Sequence, residues 1–471
     1  MLHPDRLFPS EPGERNIARE LYGSISELPL ICPHGHTDPA WFASNEPFPD
    51  PTALLVTPDH YLVRMLVSRG VPIEALGVRP RVGRPGPEFR EGREAWRVFA
   101  AHYHLFRATP SRLWLDHALH EVLEVPEPLS AETADRAYDH IAERLADAAY
   151  RPRALYERFG IEVLATTDGA LDDLGHHRAM REEGWGAVVP TFRPDAVIDP
   201  DFEGFAANLA RLGKLTGEDV EEWDGYLAAL GARRAFFREH GATATDHGHP
   251  SAATADLPGD QAAALYARVR SGEASADERE TFRAQMLTEL ARMSLGDGLV
   301  MQLHAGADRN YHRGMHARYG RDIGFDVPAP ASFREGLRPL LNAHGMDERL
   351  TLILFTLDET TYGRELAPLA GVFPSLLLGP PWWFFDSVEG METHRRQTIE
   401  TAGFANTAGF NDDTRAFLSI PARHDVARRM DCRFLARLVA EHRLGMEDAR
   451  ELAKDLAYTL AKRAYRFGDD T

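Results

Sequence analysis

The chain has 471 residues, enough to bury a large core as one elaborated barrel or as two to three smaller domains. Its 72 Asp and Glu against 53 Lys and Arg give a formal charge of −19, which argues against a nucleic-acid or anionic-membrane partner because phosphate binding needs a basic footprint. Two cysteines, Cys32 and Cys432, cannot build a disulfide framework. The leading residues hold no apolar signal segment and no apolar run approaches the roughly 18 residues of a membrane span, so the expected compartment is the cytoplasm.

Eight short apolar runs recur along the chain, each followed by polar or aromatic residues. They are 28–32 (then His34 and His36), 161–165 (then Asp168), 187–189 (then Arg193), 242–245 (then Asp246 and His247), 299–303 (then His304), 350–355 (then Asp358), 375–378 (then Trp382 and Trp383) and 404–410 (then Asp413 and Arg415). The first, fifth, sixth and seventh read as strands on their Leu and β-branched content, whereas the fourth and eighth are rich in Ala, Thr, Gly and Asn. Helical patterns over 171–183, 202–215, 220–240 and 391–401 separate several of them. Buried strands alternating with helices imply a parallel sheet covered on both faces. Eight such strands with reactive side chains at their C-terminal ends predict an α/β fold, a (β/α)8 TIM-like barrel whose chemistry sits at that end. A doubly wound open sheet is the alternative.

Residues 1–44 hold the N-terminal segment and first strand. The second strand begins far beyond an ordinary crossover, so 45–150 form an insertion. Amphipathic helices expected over 96–106, 111–123 and 131–149 make it a helical cover on the barrel mouth. Residues 151–437 supply the remaining barrel with a smaller helical insertion near 250–300, and 438–471 a C-terminal helix packed outside it.

Two histidines one residue apart at a strand end face the same side and could chelate one divalent metal, with Gly35 adding no bulk between them. The same spacing occurs at His102/His104, which fall in a predicted helix and point apart, and at His247/His249, which remain a rival pair at the barrel mouth. His176 and His177 read as surface residues. Strand one neighbours strand eight in a barrel, so Asp413 would complete a three-ligand site beside His34 and His36, with Asp412 as its competitor. Asp38 reads equally as a second sphere around a ligand or as a turn cap. His60 and Tyr61 offer a proton-transfer pair if folded over the site. His304 and His247 would line the pocket. Arg193, Arg309 and Arg415 converging on the mouth of an acidic protein would recognise a carboxylate, which requires local positive charge. Trp382 and Trp383 after Pro380-Pro381 make either an aromatic wall for a sugar face or a hydrophobic plug.

Taken in order, His34-Gly-His36-Thr-Asp-Pro39, Asp59-His60-Tyr61, Pro190-Thr-Phe-Arg193, Gln302-Leu-His304-Ala-Gly306 with Arg309-Asn310, Gly379-Pro-Pro-Trp-Trp-Phe384 and Asp413-Thr-Arg415 with Arg423-His424 make the chain resemble the uronate (glucuronate) isomerases of the amidohydrolase superfamily. The resemblance implies a distorted (β/α)8 barrel with helical insertions and one divalent metal ion, Zn2+, held by His34, His36 and Asp413. It implies interconversion of D-glucuronate with D-fructuronate and of D-galacturonate with D-tagaturonate through an enediol. Arg193, Arg309 and Arg415 would contact substrate, and Tyr61 and His60 would lie near the reacting carbons; the candidates for the proton-transfer group are Tyr61, His60 or a metal-bound water held by Asp413. The chain departs from the family pattern at Gly35, at Leu62-Val63 and at Asp412. The expected partners are a small hexuronate and further copies of this chain, with no nucleic acid and no membrane. A metal-dependent hydrolase of the same superfamily, acting on a sugar-acid ester, lactone or amide, is the alternative function.

Overall fold

The computed structural model describes residues 2–468; residue 1 and residues 469–471, the outer ends of the first and last expected segments, lie outside them. Eleven strands are present among the described residues: β1 (Leu30–Cys32), β2 (Ile161–Ala165), β3 (Asp168–Gly169), β4 (Val188–Val189), β5 (Phe192–Arg193), β6 (Ala244–His247), β7 (Val300–Ala305), β8 (Ala307–Asp308), β9 (Val327–Pro328), β10 (Leu352–Thr356) and β11 (Leu376–Leu378). One sheet has the order β1-β2-β4 and another β11-β10-β7-β6-β5-β3, with every pairing in both parallel. The segments β2 and β3 are two halves of one stave, as are β4 and β5, so chain order follows spatial order around a distorted (β/α)8 barrel.

The expected eighth strand is not a strand. Gly403 and Gly409 sit at φ 71° and 73°, and the intervening chain touches the sheet by a single bridge from Leu378 to Thr407. Two hydrogen bonds hold it there: Leu378 N–H donates to the Asn406 carbonyl (2.9 Å), and Ala408 N–H donates to that of Leu378 (2.8 Å). Farther on, Asp413 N–H donates to the His34 carbonyl (3.3 Å) and His36 N–H to that of Thr414 (3.0 Å), closing the ring. Apart from Thr407, which makes the bridge, this Gly- and Ala-containing segment lacks the branched side chains that favour a continuous ladder.

Along β7 and β10 every residue is buried, because both sheet faces are covered. Leu352 and Leu354 face the outer helices with Met301 and Leu303, while Ile353, Phe355, Val300 and Ala244 fill the barrel interior. That interior cluster also contains Ala464 and Tyr465, and the Tyr465 hydroxyl donates to Gln302 Oε1 at 2.9 Å. The C-terminal segment therefore does not stay outside the barrel; its last turn plugs the interior. The long helix Ile420–Ala440 also runs across the expected boundary at 437.

Helices Gly92–His102, Pro110–His117 and Ala134–Ala146 lie within the first insertion, and Gly259–Ser271 and Ala276–Asp297 within the second. Capping decides where the short helices near the site begin. Asp38 accepts from Ala40 N–H and starts helix Pro39–Ser44, so it is a cap. Asp59 accepts from Tyr61 and Leu62 N–H, fixing His60 and Tyr61 in the first turn of helix His60–Ser68. His177 is not a surface residue: it is 1% exposed, and its Nε2 meets the Thr166 hydroxyl at 2.8 Å. No helix among the described residues is long and apolar enough to cross a membrane.

Candidate active site

The C-terminal ends of the staves surround a cavity of about 380 Å³. Strand alternation brings His34 and His36 to one side at the end of β1, and Asp413 reaches them from the closing segment. Asp413 is a non-glycine residue at φ 36°, in the left-handed region that side chains rarely adopt. Its neighbour Asp412 explains the bend. Asp412 is anchored in the core, its Oδ2 3.2 Å from His424 Nε2, which lies 3.6 Å from Cys32 Sγ. With Asp412 turned inward, Asp413 swings to the opposite side. Asp413 is thus the acid that reaches His34 and His36, while Asp412 sits with Cys32 and His424 in a second cluster.

Asp413 Oδ1 stands 3.5 Å from His34 Nε2 and 3.2 Å from His36 Nε2. Zinc–nitrogen and zinc–oxygen bonds at tetrahedral angles span an edge of about 3.4 Å, so the three donors are spaced to share one ion. Their chemistry fits as well. Although burial works the other way, the adjacent His34 and His36 hold the Asp413 carboxyl well below the usual carboxylate range, in the ionised form a ligand needs. Burial pushes the His36 imidazole down against the pull of Asp413, favouring the neutral ring.

Around these donors, His304 stacks on His34 (centroids 4.6 Å apart) and on Phe355 (4.1 Å). Its Nδ1 is 2.7 Å from Asp246 Oδ1, and its Nε2 has no hydrogen-bond partner among the described residues. Arg193 is pinned between Asp195 Oδ2 (2.8 Å) and Asp246 Oδ2 (3.0 Å). Burial opposes its charge, but these two carboxylates raise the Arg193 pKa above its ordinary value. Arg309 and Arg415 share Asp322 at longer range, 3.6 and 3.4 Å. The pair β8 and β9 ties the base of the loop carrying Arg309, Asp322 and Asp326. Trp382 and Trp383 line the cavity while packing on the interior cluster, so they serve as both wall and plug.

His60 stacks on Tyr61 (4.9 Å) and meets Trp383 edge-on (5.2 Å). Burial, reinforced by Arg415, lowers the His60 pKa to about 3, so the ring is neutral at pH 7. The Tyr61 hydroxyl donates to Asp386, and burial with that carboxylate pushes the phenol far above its ordinary value.

Eleven of the twelve expected site residues line the cavity: His34, His36, His60, Tyr61, Arg193, His304, Arg309, Trp382, Trp383, Asp413 and Arg415. His247 does not. The strand β6 runs to His247, and alternation turns Asp246 inward and His247 outward, where it is fully buried and bonded to Thr245 Oγ1 at 3.0 Å. Its pKa is lowered to about 3 by burial. The residues missed are Asp246, Asp195, Asp322, Asp326 and Arg321; Asp246 was visible as the residue before His247. They change the charge balance. Five arginines lining the cavity are matched by six aspartates, so side chains alone do not supply the expected positive excess, and a divalent cation would tip the balance.

The family model for glucuronate isomerase matches residues 13–465. The uronate isomerase of Rhizobium meliloti is 60% identical over 467 residues, covering 99% of both chains. The crystal structure of glucuronate isomerase from Caulobacter crescentus superposes with a TM-score of 0.98 at 55% identity, covering 100% of this chain and 98% of that one. That of uronate isomerase from Thermotoga maritima gives 0.91 at 29% identity over 99% of each. A cavity that joins a three-donor metal set to arginines, a Tyr–His pair and an aromatic wall is thus found on a chain that belongs to the glucuronate (uronate) isomerase family.

Proposed function

We infer that the chain interconverts the aldose and ketose forms of hexuronates, D-glucuronate with D-fructuronate and D-galacturonate with D-tagaturonate. The observation that carries this reading is the joining, in one cavity, of a metal donor set with arginines whose neighbouring carboxylates leave donors free. His34, His36 and Asp413 would hold one zinc ion, which when bound supplies positive charge against the developing negative charge on substrate oxygens. Arg309 and Arg415 take the substrate carboxylate, and Arg193, fixed by Asp195 and Asp246, presents its remaining donors to hydroxyl groups. Trp382 and Trp383 cover the apolar sugar face and exclude water. His304, oriented by Asp246 through Nδ1, offers Nε2 to the cavity. The proton moves between C2 and C1 through an enediol, with neutral His60, the Tyr61 hydroxyl and a water held by ionised Asp413 as the candidate groups around it. Two buried, unpaired cysteines suit a cytoplasmic enzyme. Incubation with D-glucuronate and D-galacturonate, followed by NMR, tests the reading: ketose accumulates to equilibrium. Hydrolysis of sugar lactones with no ketose from any hexuronate would overturn it.

A further inference from the structure

The loop between β8 and β9, residues 309–326, carries Arg309, Arg321, Asp322 and Asp326 to the cavity. Its helix Arg313–Tyr319 has no buried residue, so apolar packing gives it little hold. One carboxylate fastens the end of that helix. Glu74, in the turn Ile73–Leu76 of the first insertion, is 5% exposed. Its Oε1 accepts from Arg318 Nη2 at 2.5 Å and from the Tyr319 hydroxyl at 2.7 Å, and its Oε2 accepts from Gly86 N–H. The backbone comes so close there that a Cβ on Gly86 would stand 3.2 Å from Glu74 Oε2. The Glu74 carbonyl accepts from Arg90 N–H at 3.0 Å, and Arg81 N–H donates to the Arg318 carbonyl at 2.7 Å, so segment 81–90 is drawn into the same fastening.

The fastening reaches the cavity within three residues. Asp322, just beyond Tyr319, stands 3.6 Å from Arg309 of the same loop and 3.4 Å from Arg415 of the segment that closes the barrel. On its return leg the loop is pressed against helix His60–Ser68: Gly324 sits at φ 94°, and a Cβ there would lie 2.9 Å from the His60 carbonyl oxygen. The Arg81–Glu203 pair is exposed and contributes little, because water screens it and two long side chains must be ordered to make it. Glu74 is shielded, and both of its oxygens are in use as acceptors of strong hydrogen bonds. A buried charge of this kind adds little stability over an apolar replacement of the same shape. What it does fix is the place of one loop against another.

We propose that Glu74 is a positioning residue for substrate binding: it latches the 309–326 loop to the first insertion and so holds Asp322 between Arg309 and Arg415, keeping the spacing of the two guanidinium groups that take the uronate carboxylate. The proposal rests on the reading that those two arginines bind that carboxylate. Glutamine cannot replace the latch. An amide has one acceptor oxygen where the carboxylate uses two, and its NH2 group would face either Gly86 N–H or the Arg318 and Tyr319 donors. The uronate carboxylate keeps its charge through the reaction, so a loosened latch weakens binding of substrate and transition state alike and shows in KM rather than kcat.

The test uses the full-length, metal-loaded enzyme with D-glucuronate and the variants Glu74→Gln, Arg309→Met and the two combined. Glu74→Gln raises KM about tenfold, with kcat within about twofold of the parent and metal content unchanged. The double variant loses less than the product of the two single losses, because part of the latch's effect runs through Arg309; a role confined to folding stability would leave the two losses independent. Without substrate, backbone amide exchange of residues 309–326 runs at least about threefold faster in Glu74→Gln. If Glu74→Gln does not fold, Arg318→Met removes the charged donor from the exposed side of the latch and serves in the same cycle. A KM within about twofold of the parent, losses that multiply in full, or unchanged exchange in that loop overturns the proposal. Parent enzyme that forms no ketose from any hexuronate overturns the reading beneath it instead, and the exchange measurement, which needs no substrate, still judges the latch.

Discussion

Arg309 is a cavity arginine whose charge the protein answers only at long range. Its nearest carboxylates, Asp322 and Asp326, stand 3.6 and 3.8 Å away, and its guanidinium lies 5.9 Å from the Trp383 ring centre. Burial and the nearby Arg193 lower its pKa, so an incoming anion relieves an imbalance already present. Arg309→Met keeps the length of the side chain and removes only the charge and donors. A hydrogen bond to a charged group contributes about 1.5–3 kcal/mol, and loss of a bidentate contact at the upper end of that range lowers kcat/KM about 10²-fold. The uronate carboxylate keeps its charge throughout the isomerisation, so the contact is as strong in the ground state as in the transition state. The loss therefore falls on KM, with kcat little changed. Initial rates of ketose formation across a range of D-glucuronate concentrations measure it. A KM within about twofold of the parent, or a loss confined to kcat, refutes the assignment.

His34→Ala and Asp413→Ala each remove a ligand, and metal analysis after desalting finds far less than the parent content; full retention refutes the ligand set. Gly248→Ala places a Cβ 2.2 Å from Arg193 Nη2 and 3.0 Å from Asp195 Oδ2, so Arg193 must move and kcat/KM falls by at least about tenfold with little change in Tm. Gly35→Ala is the contrasting case: its Cβ meets nothing nearer than 3.5 Å, so activity survives, and an inactive Gly35→Ala refutes the packing argument. Burial lowers His247 and His394 to about 3, so in the folded protein both stay neutral as pH falls from 7 to 5. The unfolded chain binds those protons below about pH 6.5, so this part of the stability is present above that pH and is lost progressively toward pH 3. His247→Gln flattens the dependence of Tm on pH between 6.5 and 4.5; an unchanged slope refutes the assignment.

The fold was legible where hydrophobic pattern and β-branched content agree, as in β7 and β10. It was not legible where closure depends on a few backbone hydrogen bonds. The segment 404–410 carries an apolar run, yet Gly403 and Gly409 bend it, and only its contacts with Leu378 and β1 complete the barrel. The cluster of candidate metal donors was legible because His34 and His36 share a face at the end of a clear strand. At β6 the same reasoning failed by one residue: an apolar run of Ala and Thr does not fix the strand's phase, so Asp246 and His247 exchange sides. Asp322, Asp326 and Asp386 lie in loops with no periodicity, where spacing carries no information about direction. The buried His177 depends on Thr166 across the β2 to β3 junction, a partner that helical periodicity does not reveal.

The central claim is that this cavity isomerises a hexuronate by moving a proton between C2 and C1. The most direct measurement equilibrates D-glucuronate with the metal-loaded enzyme in D2O and follows C1 and C2 by NMR. The account predicts ketose formation, with deuterium entering only C1 of the ketose and C2 of the recovered aldose, to the extent that the carried proton exchanges with solvent before delivery. Deuterium at any carbon other than C1 of the ketose and C2 of the aldose, or no ketose at all, would contradict it.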